Sequence, residues 1–195
     1  MIISYFQDQE IYRNGNRIYH PKSKMFFNRY LSGLTSDDRF YVTSFIVDTD
    51  SEVLNKYQEI TDSRIIYKSI PNFKKIANYF KIIEVVKKQV GESDFCYIRT
   101  GMSGIIAAHY CRKKQIPYMF IVNEDIEKNL KTHRKPIVRI SSSMIGMAMR
   151  HYIHHADYSC YVTQNYLQKR YPCNGKTLGC SDIDNLVITE DSRIA

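Results

Sequence analysis

The chain predicts an α/β fold: a single doubly wound, mostly parallel sheet with helices on both faces. Three observations lead there. Short apolar runs rich in Val, Ile, Tyr and Phe alternate with helical patterns along all 195 residues. Several of these runs are nearly continuous rather than alternating, as strands buried on both faces require. No repeat, low-complexity tract or Pro/Gly-rich linker divides the sequence, and its length fits one domain with an ample core.

The first strand is expected over residues 2–6, Ile-Ile-Ser-Tyr-Phe. A long loop over 7–21 follows, with Asn14, Gly15 and Asn16 as its turn signal. A helix over 21–33 carries Met25, Phe26, Arg29 and Tyr30 at helical spacing, and strands are expected over 40–47 and 64–67. In a helix over 73–90, Ile76, Tyr79, Phe80, Ile83, Val86 and Val90 share one face. Lys74, Asn78, Lys81, Glu84 and Lys88 lie mostly on the other, and Gly91 stops it. A strand over 95–98 leads through Arg99-Thr-Gly-Met-Ser-Gly104 into a helix over 103–115 that ends before Pro117. A strand over 118–122 opens into a loop over 123–136, and a run of serines from Ser141 is placed to cap a helix over 141–155. The block 156–182 reads as a strand over 158–162, a Thr163 cap, a two-turn helix stopped by Pro172 and a second short strand. Right-handed crossovers between such units make the sheet Rossmann-like. Ligands bind such sheets beyond the carboxyl ends of the strands. That rule selects the loops 7–21, 99–104, 123–136 and 163–165.

The net charge is +8 and clustered. Arg13, Arg17, Lys22, Lys24 and Arg29 stand together without an acid, and Lys128, Lys131, Arg134, Lys135 and Arg139 face only Glu127. Such surfaces favour an anionic partner, although solubility alone also accounts for charge runs. The tyrosines fall mostly at core spacing, which disfavours nucleic acid as a partner. No apolar run approaches the ~20 residues of a membrane span. The start of the chain reads as a strand rather than a signal peptide, so a cytoplasmic location is expected. Five cysteines at irregular spacing argue against a disulfide framework, and Cys96 and Cys160 read as small buried hydrophobes. Cys173 and Cys180 have the wrong spacing for a zinc ribbon. His151 and His155 share a helix face, but histidines also suit a helix C-terminus. Neither a metal nor a cofactor is expected.

Four constellations carry chemistry. In Arg99-Thr-Gly-Met-Ser-Gly104, Gly101 and Gly104 allow close backbone approach, and free N–H groups near Ser103 attract an anion, with Arg99 adding charge. The competing reading is a tight turn that needs small residues. Asn123, Glu124 and Asp125 follow a strand, where they suit hydroxyl binding or general-base work. Helix capping competes, most strongly for Asp125. His151, His154 and His155 form the third. The fourth is the first loop, where Arg13, Tyr19, His20 and Lys22 build a polar, cationic lip.

The block Asp157-Tyr-x-x-Tyr-Val-Thr163, then Tyr166-Leu-Gln-Lys-Arg-Tyr-Pro172 and Gly179-Cys-Ser-Asp182, resembles bacterial glycosyltransferases of family 4, the group 1 enzymes of capsule, O-antigen and exopolysaccharide synthesis. The turn 99–104 and the pattern Gly15…Tyr19…Arg29-Tyr30-Leu31 resemble the same family. The resemblance implies a GT-B architecture, with residues 1–182 as the N-terminal acceptor-binding domain and 183–195 as the start of a linker to a donor-binding domain. It implies retaining transfer from a nucleotide-sugar to a polysaccharide or lipid-linked acceptor, without a metal. The chain alone is then expected to be inactive. The basic clusters and the Lys-flanked helix over 73–90 suit peripheral contact with an anionic membrane, although a solvated face on a core helix also accounts for that helix. The family's Gly-Gly turn after the first strand is replaced here by Gln7-Asp-Gln-Glu10. The catalytic residue stays open, with Glu124 and Asp125 as candidates. Acceptor or anion contacts fall to Arg99, Gly101, Ser103, Gly104, Asn123, Arg13 and Tyr19. Two alternatives remain: a separate non-catalytic subunit that recruits a donor-binding partner, or an unrelated α/β protein that binds nucleotides or nucleic acid.

Overall fold

The computed structural model describes residues 1–20, 24–49, 54, 57–73 and 76–179. In chain order its elements are β1 (Ile2–Asn14), β2 (Arg17–His20), α1 (Lys24–Leu31), β3 (Arg39–Asp48), β4 (Gln58–Glu59), β5 (Ile65–Ser69), α2 (Ile76–Gly91), β6 (Phe95–Arg99), α3 (Met102–Lys114), β7 (Tyr118–Val122), α4 (Ile126–Lys131), α5 (Pro136–His154), β8 (Tyr158–Tyr161), α6 (Tyr166–Arg170) and β9 (Lys176–Gly179). The main sheet has the order β5-β3-β1-β6-β7-β8-β9, with every neighbouring pair parallel. This is the expected doubly wound α/β sheet.

Alternation along β1 divides the core. Ile3 and Tyr5 point to the face covered by α1, where they pack with Phe27, Leu31, Phe40 and Val42. Phe6 points to the opposite face, whose larger core holds Ile82, Val86 and Val90 of α2, Ala107, Ala108 and Cys111 of α3, and Met149 and Ile153 of α5. Small buried residues on α3 bring that helix close to the sheet. Cys96, Cys111 and Cys173 are free thiols. Cys160, read from sequence as a free hydrophobe, is instead disulfide-bonded.

Three elements differ from the sequence reading. The first strand does not stop at Phe6. It bulges over residues 7–9, then continues alongside β3 from Glu10 to Arg13, and turns at Gly15, φ 57°, into the antiparallel β2. The expected first loop is therefore mostly a hairpin, because alternating Ile11, Arg13, Ile18 and paired Tyr12 and Tyr19 suit a ladder. The helix expected to start at Ser141 starts at Pro136, a residue preorganised for the first helical position. Ser141 and Ser142 then lie inside the helix and donate to the carbonyls of Val138 and Arg139. The loop 123–136 contains α4. The final block holds its shape: the Leu167 N–H donates to Thr163 Oγ1 at 3.0 Å, and α6 ends before Pro172. Cys180 to Asp182 and the expected linker lie outside the described residues, as do Pro21 and Lys22.

Candidate functional site at the sheet switch point

The strand order reverses between β1 and β6, since β3 and β5 lie on one side of β1 and β6 to β9 on the other. Neighbouring crossovers diverge at such a point and leave a crevice beyond the carboxyl ends. Here the crevice is a cavity of about 360 Å³ lined by Gln7, Asp8, Gln9, Arg99, Thr100, Asn123 and Glu124. They come from the bulge within β1 and the ends of β6 and β7, so three strands deliver amide, carboxylate, hydroxyl and guanidinium groups to one place. Among the described residues, none that lines it is aromatic or aliphatic.

The bulge after Phe6 sets the floor. Gln7 is buried, and its Nε2 lies 3.1 Å from His20 Nε2 and 3.5 Å from Ser44 Oγ. His20 is thus not part of a cationic lip; it is buried with its ring edge-on to Phe27. Asp8 reaches across to α3. One oxygen accepts from the Met102 N–H at 2.5 Å and the other from the Ser103 N–H at 3.1 Å. The two amides that sequence reading reserved for a ligand anion are therefore taken by the chain's own carboxylate, which meets the positive end of the α3 dipole. Burial is the largest influence on Asp8 and raises its pKa; hydrogen bonds from Ser103 and Met102 pull it down, and the Glu124 charge raises it further. Gly101 and Gly104 serve this closure. Gly101 has φ 155°, and a Cβ there would run into the Asp8 carboxylate. A Cβ at Gly104 would run into the Arg99 carbonyl oxygen, far inside van der Waals contact.

Of the sequence candidates, Arg99, Asn123 and Glu124 line the cavity. Arg99 is buried at the end of β6. Asn123 Oδ1 accepts from Thr100 Oγ1 at 2.6 Å, and Glu124 Oε2 accepts from Asn129 Nδ2 at 2.6 Å. Asp125 belongs elsewhere. It caps α4 by accepting from the Lys128 N–H, and it accepts from the hydroxyls of Tyr171 at 2.7 Å and Tyr166 at 2.8 Å. Burial raises its pKa, but the two tyrosines and the capping bond outweigh that and hold it below the ordinary carboxylate range. Arg13 and Tyr19 lie on the hairpin and not among the cavity-lining residues; Arg13 forms a two-pronged ion pair with Asp48 at 2.6 and 3.0 Å. Gly101, Ser103 and Gly104 shape the wall without lining it. Gln7, Asp8, Gln9 and Thr100 fall within the loops 7–21 and 99–104 selected from sequence but were not singled out as site residues. Their signal was position alone: the switch point lies after the first strand, and the bulge there is invisible in composition.

Among the described residues, no group of three or more His, Cys, Asp or Glu is placed to hold a metal ion. His151, His154 and His155 instead engage Arg112, Asn174 and the α5 backbone.

No family model matches the chain. Its sequence is 29% identical over 171 residues to Protein CapJ of Staphylococcus aureus, covering 84% of this chain and 42% of that relative. The structure is similar to that of a ugt transferase from Siraitia grosvenorii in complex with UDP, with a TM-score of 0.52 and 9% identity, over 97% of this chain and 53% of that one. It is also similar to sucrose-phosphate synthase from Thermosynechococcus elongatus, with a TM-score of 0.53 and 9% identity, over 92% and 47% of the two chains. The chain thus spans about half the length of these proteins; it shares a Rossmann-like α/β fold with the two solved structures and a sequence likeness with CapJ.

Proposed function

We propose that the chain is the acceptor-binding half of a retaining glycosyltransferase. It orients a saccharide or lipid-linked acceptor while a second domain holds a nucleotide-sugar donor, in the assembly of a capsule or related polysaccharide. The observation that carries this reading is the switch-point cavity, whose described lining residues all carry hydrogen-bonding side chains. A sugar presents a ring of hydroxyls that donate and accept, and Gln7, Gln9, Thr100, Asn123 and Glu124 match both roles. Similarity to CapJ and to two larger sugar-handling proteins supports the assignment. Because Asp8 fills the start of α3, the acceptor meets hydroxyl-binding groups here rather than an open anion cradle, and the donor diphosphate falls to the other half. Glu124 is the better candidate for contact with the reacting hydroxyl, since both Asp125 oxygens serve α4 and α6.

Catalysis in the whole enzyme would come from positioning the hydroxyl and stabilising the leaving diphosphate. The isolated chain should therefore bind saccharide without transferring sugar. Calorimetric titration with capsule oligosaccharides tests this. Glu124→Gln and Asn123→Ala should each weaken binding about tenfold, the value of one hydrogen bond to a charged or buried group. Sugar turnover by the isolated chain, or binding that ignores both substitutions, would overturn the reading.

A further inference from the structure

Several large apolar side chains are exposed among the described residues, and one helix carries a line of them. Ile137, Ile140, Met144 and Met147 of α5 are 70%, 78%, 65% and 58% exposed. The buried face of the helix, with Ser142, Gly146, Met149 and Ile153, lies on the other side. The exposed side chains follow one another at intervals of three, four and three residues, the spacing of a coiled-coil seam. His151 takes the next position of that pattern and ends the apolar seam, with Arg112 donating to its Nε2 at 2.5 Å. Ser141, Ser143 and Ala148 flank the seam and are small enough to let another helix approach.

The spacing is also symmetric: three, four, three reads the same in either direction. Two copies of α5 that run antiparallel about a twofold axis beside residue 142 therefore align the whole seam. Ile137 of each copy meets the partner's Met147, and Ile140 meets the partner's Met144. Charge favours the same arrangement. A parallel pair would set the exposed cations Arg134 and Lys135, at the start of α5, against their equivalents. Antiparallel pairing moves them roughly 20 Å from those equivalents along the axis, beyond the ~10 Å Debye length. It turns them instead towards the carboxyl half of the partner's α5, whose dipole they complement. A lipid-facing helix presents a broad apolar arc, whereas this seam takes two positions in every seven and is bordered by serines.

We infer that α5 pairs across this seam with α5 of a second copy, antiparallel, to form a twofold dimer. The inference goes beyond the acceptor-binding reading and does not depend on it. The seam alone supplies less than the ~800 Å² per partner of a standard interface, so the dimer is a reversible one. Topology gives it a consequence. The chain leaves β7 at its carboxyl end, passes α4, and α5 runs back to the start of the parallel β8. The first turn of α5 thus lies at the sheet edge that holds the cavity. An antiparallel α5 pair places the two cavities at opposite ends of the dimer, each open to its own ligand.

Sedimentation velocity over a dilution series of the unaltered chain tests it. A monomer–dimer equilibrium should appear between micromolar and hundreds of micromolar chain. Ile140→Glu and Met144→Lys, both at exposed positions, should each raise the dimer dissociation constant roughly a hundredfold, because a twofold contact loses each apolar side chain twice. Far-ultraviolet circular dichroism of each variant should match the parent, which separates lost pairing from lost fold. Mixing the two variants should restore association, since the new carboxylate of one then faces the new ammonium of the other across the 140–144 layer. A chain that stays monomeric throughout the series, or a dimer that survives Ile140→Glu, overturns the proposal. So do variants that remain monomeric when mixed, which removes the antiparallel register. A monomeric chain that pellets with phosphatidylglycerol vesicles until Ile140→Glu is introduced also overturns it and assigns the stripe to lipid.

Discussion

Asp8 decides what the start of α3 can receive. A helix start with glycines and a nearby arginine is an anion site by default, yet here the anion is built into the chain. The arrangement depends on the two glycines, whose missing side chains let β1, β6 and α3 approach. Gly104→Ala tests that dependence. Its Cβ would press on the backbone of Arg99 rather than on a movable side chain, so the helix or strand must shift. The expected loss is about 1–3 kcal/mol, as for other overpacked sites, measured as a lower urea midpoint. An unchanged midpoint would mean that the approach is looser than described. The sequence made both glycines legible as a tight turn, but not the carboxylate they accommodate. Asp8 is distant from them in sequence, by more than ninety residues, and no local pattern links the two.

Among the elements, α4, α5 and α6 are held by a shared acid. Glu127 on α4 is buried and meets Lys131 at 2.7 Å, Arg150 of α5 at 2.6 Å and Arg170 of α6 at 2.7 Å. Gly146 leaves the space, since a Cβ there would lie 2.5 Å from Glu127 Oε2. Hydrogen bonds from Lys131 and Arg150 hold the Glu127 pKa below its ordinary value. Glu127→Ala should cost about 2 kcal/mol, less than a fully buried pair because both guanidiniums reach solvent. Thermal unfolding of the variant checks this, and a shift indistinguishable from that of an exposed-lysine control would refute it. From sequence, Glu127 was the lone acid in a basic cluster, and its partners on α5 and α6 were not predictable. The same limit applied to the start of α5. The serines are good caps, but Pro136 offers an earlier start and the apolar stripe extends to it.

The whole molecule answers to acid through two opposed sets of carboxylates. Asp125 and Glu127 have lowered pKa values in the folded state, and Asp38, bonded to the N-terminal amine and Thr35, is lowered to about 2. Such groups stabilise the fold above their unfolded pKa, and that contribution is lost as pH falls through the folded value. Asp8 has the opposite sign: its raised pKa favours the fold at low pH, and this part is lost as pH rises through the folded value. The lowered set is larger, so the urea midpoint should fall between roughly pH 5 and pH 2, and Glu127→Gln should flatten that slope. A flat parental profile would contradict the ion-pair account. Among the described residues, no helix is long and apolar enough to cross a membrane. The α/β class, six of the parallel strands and the described part of the strand–helix–strand block, 156–179, were determined by the sequence, because apolar periodicity is a local property of neighbouring residues. The tertiary structure decided the extended β1 hairpin, the capture of α3 by Asp8, the removal of Asp125 from the site and the outward stripe of α5. Each of these depends on which distant residues meet, and that is set by strand order and packing rather than by any local pattern.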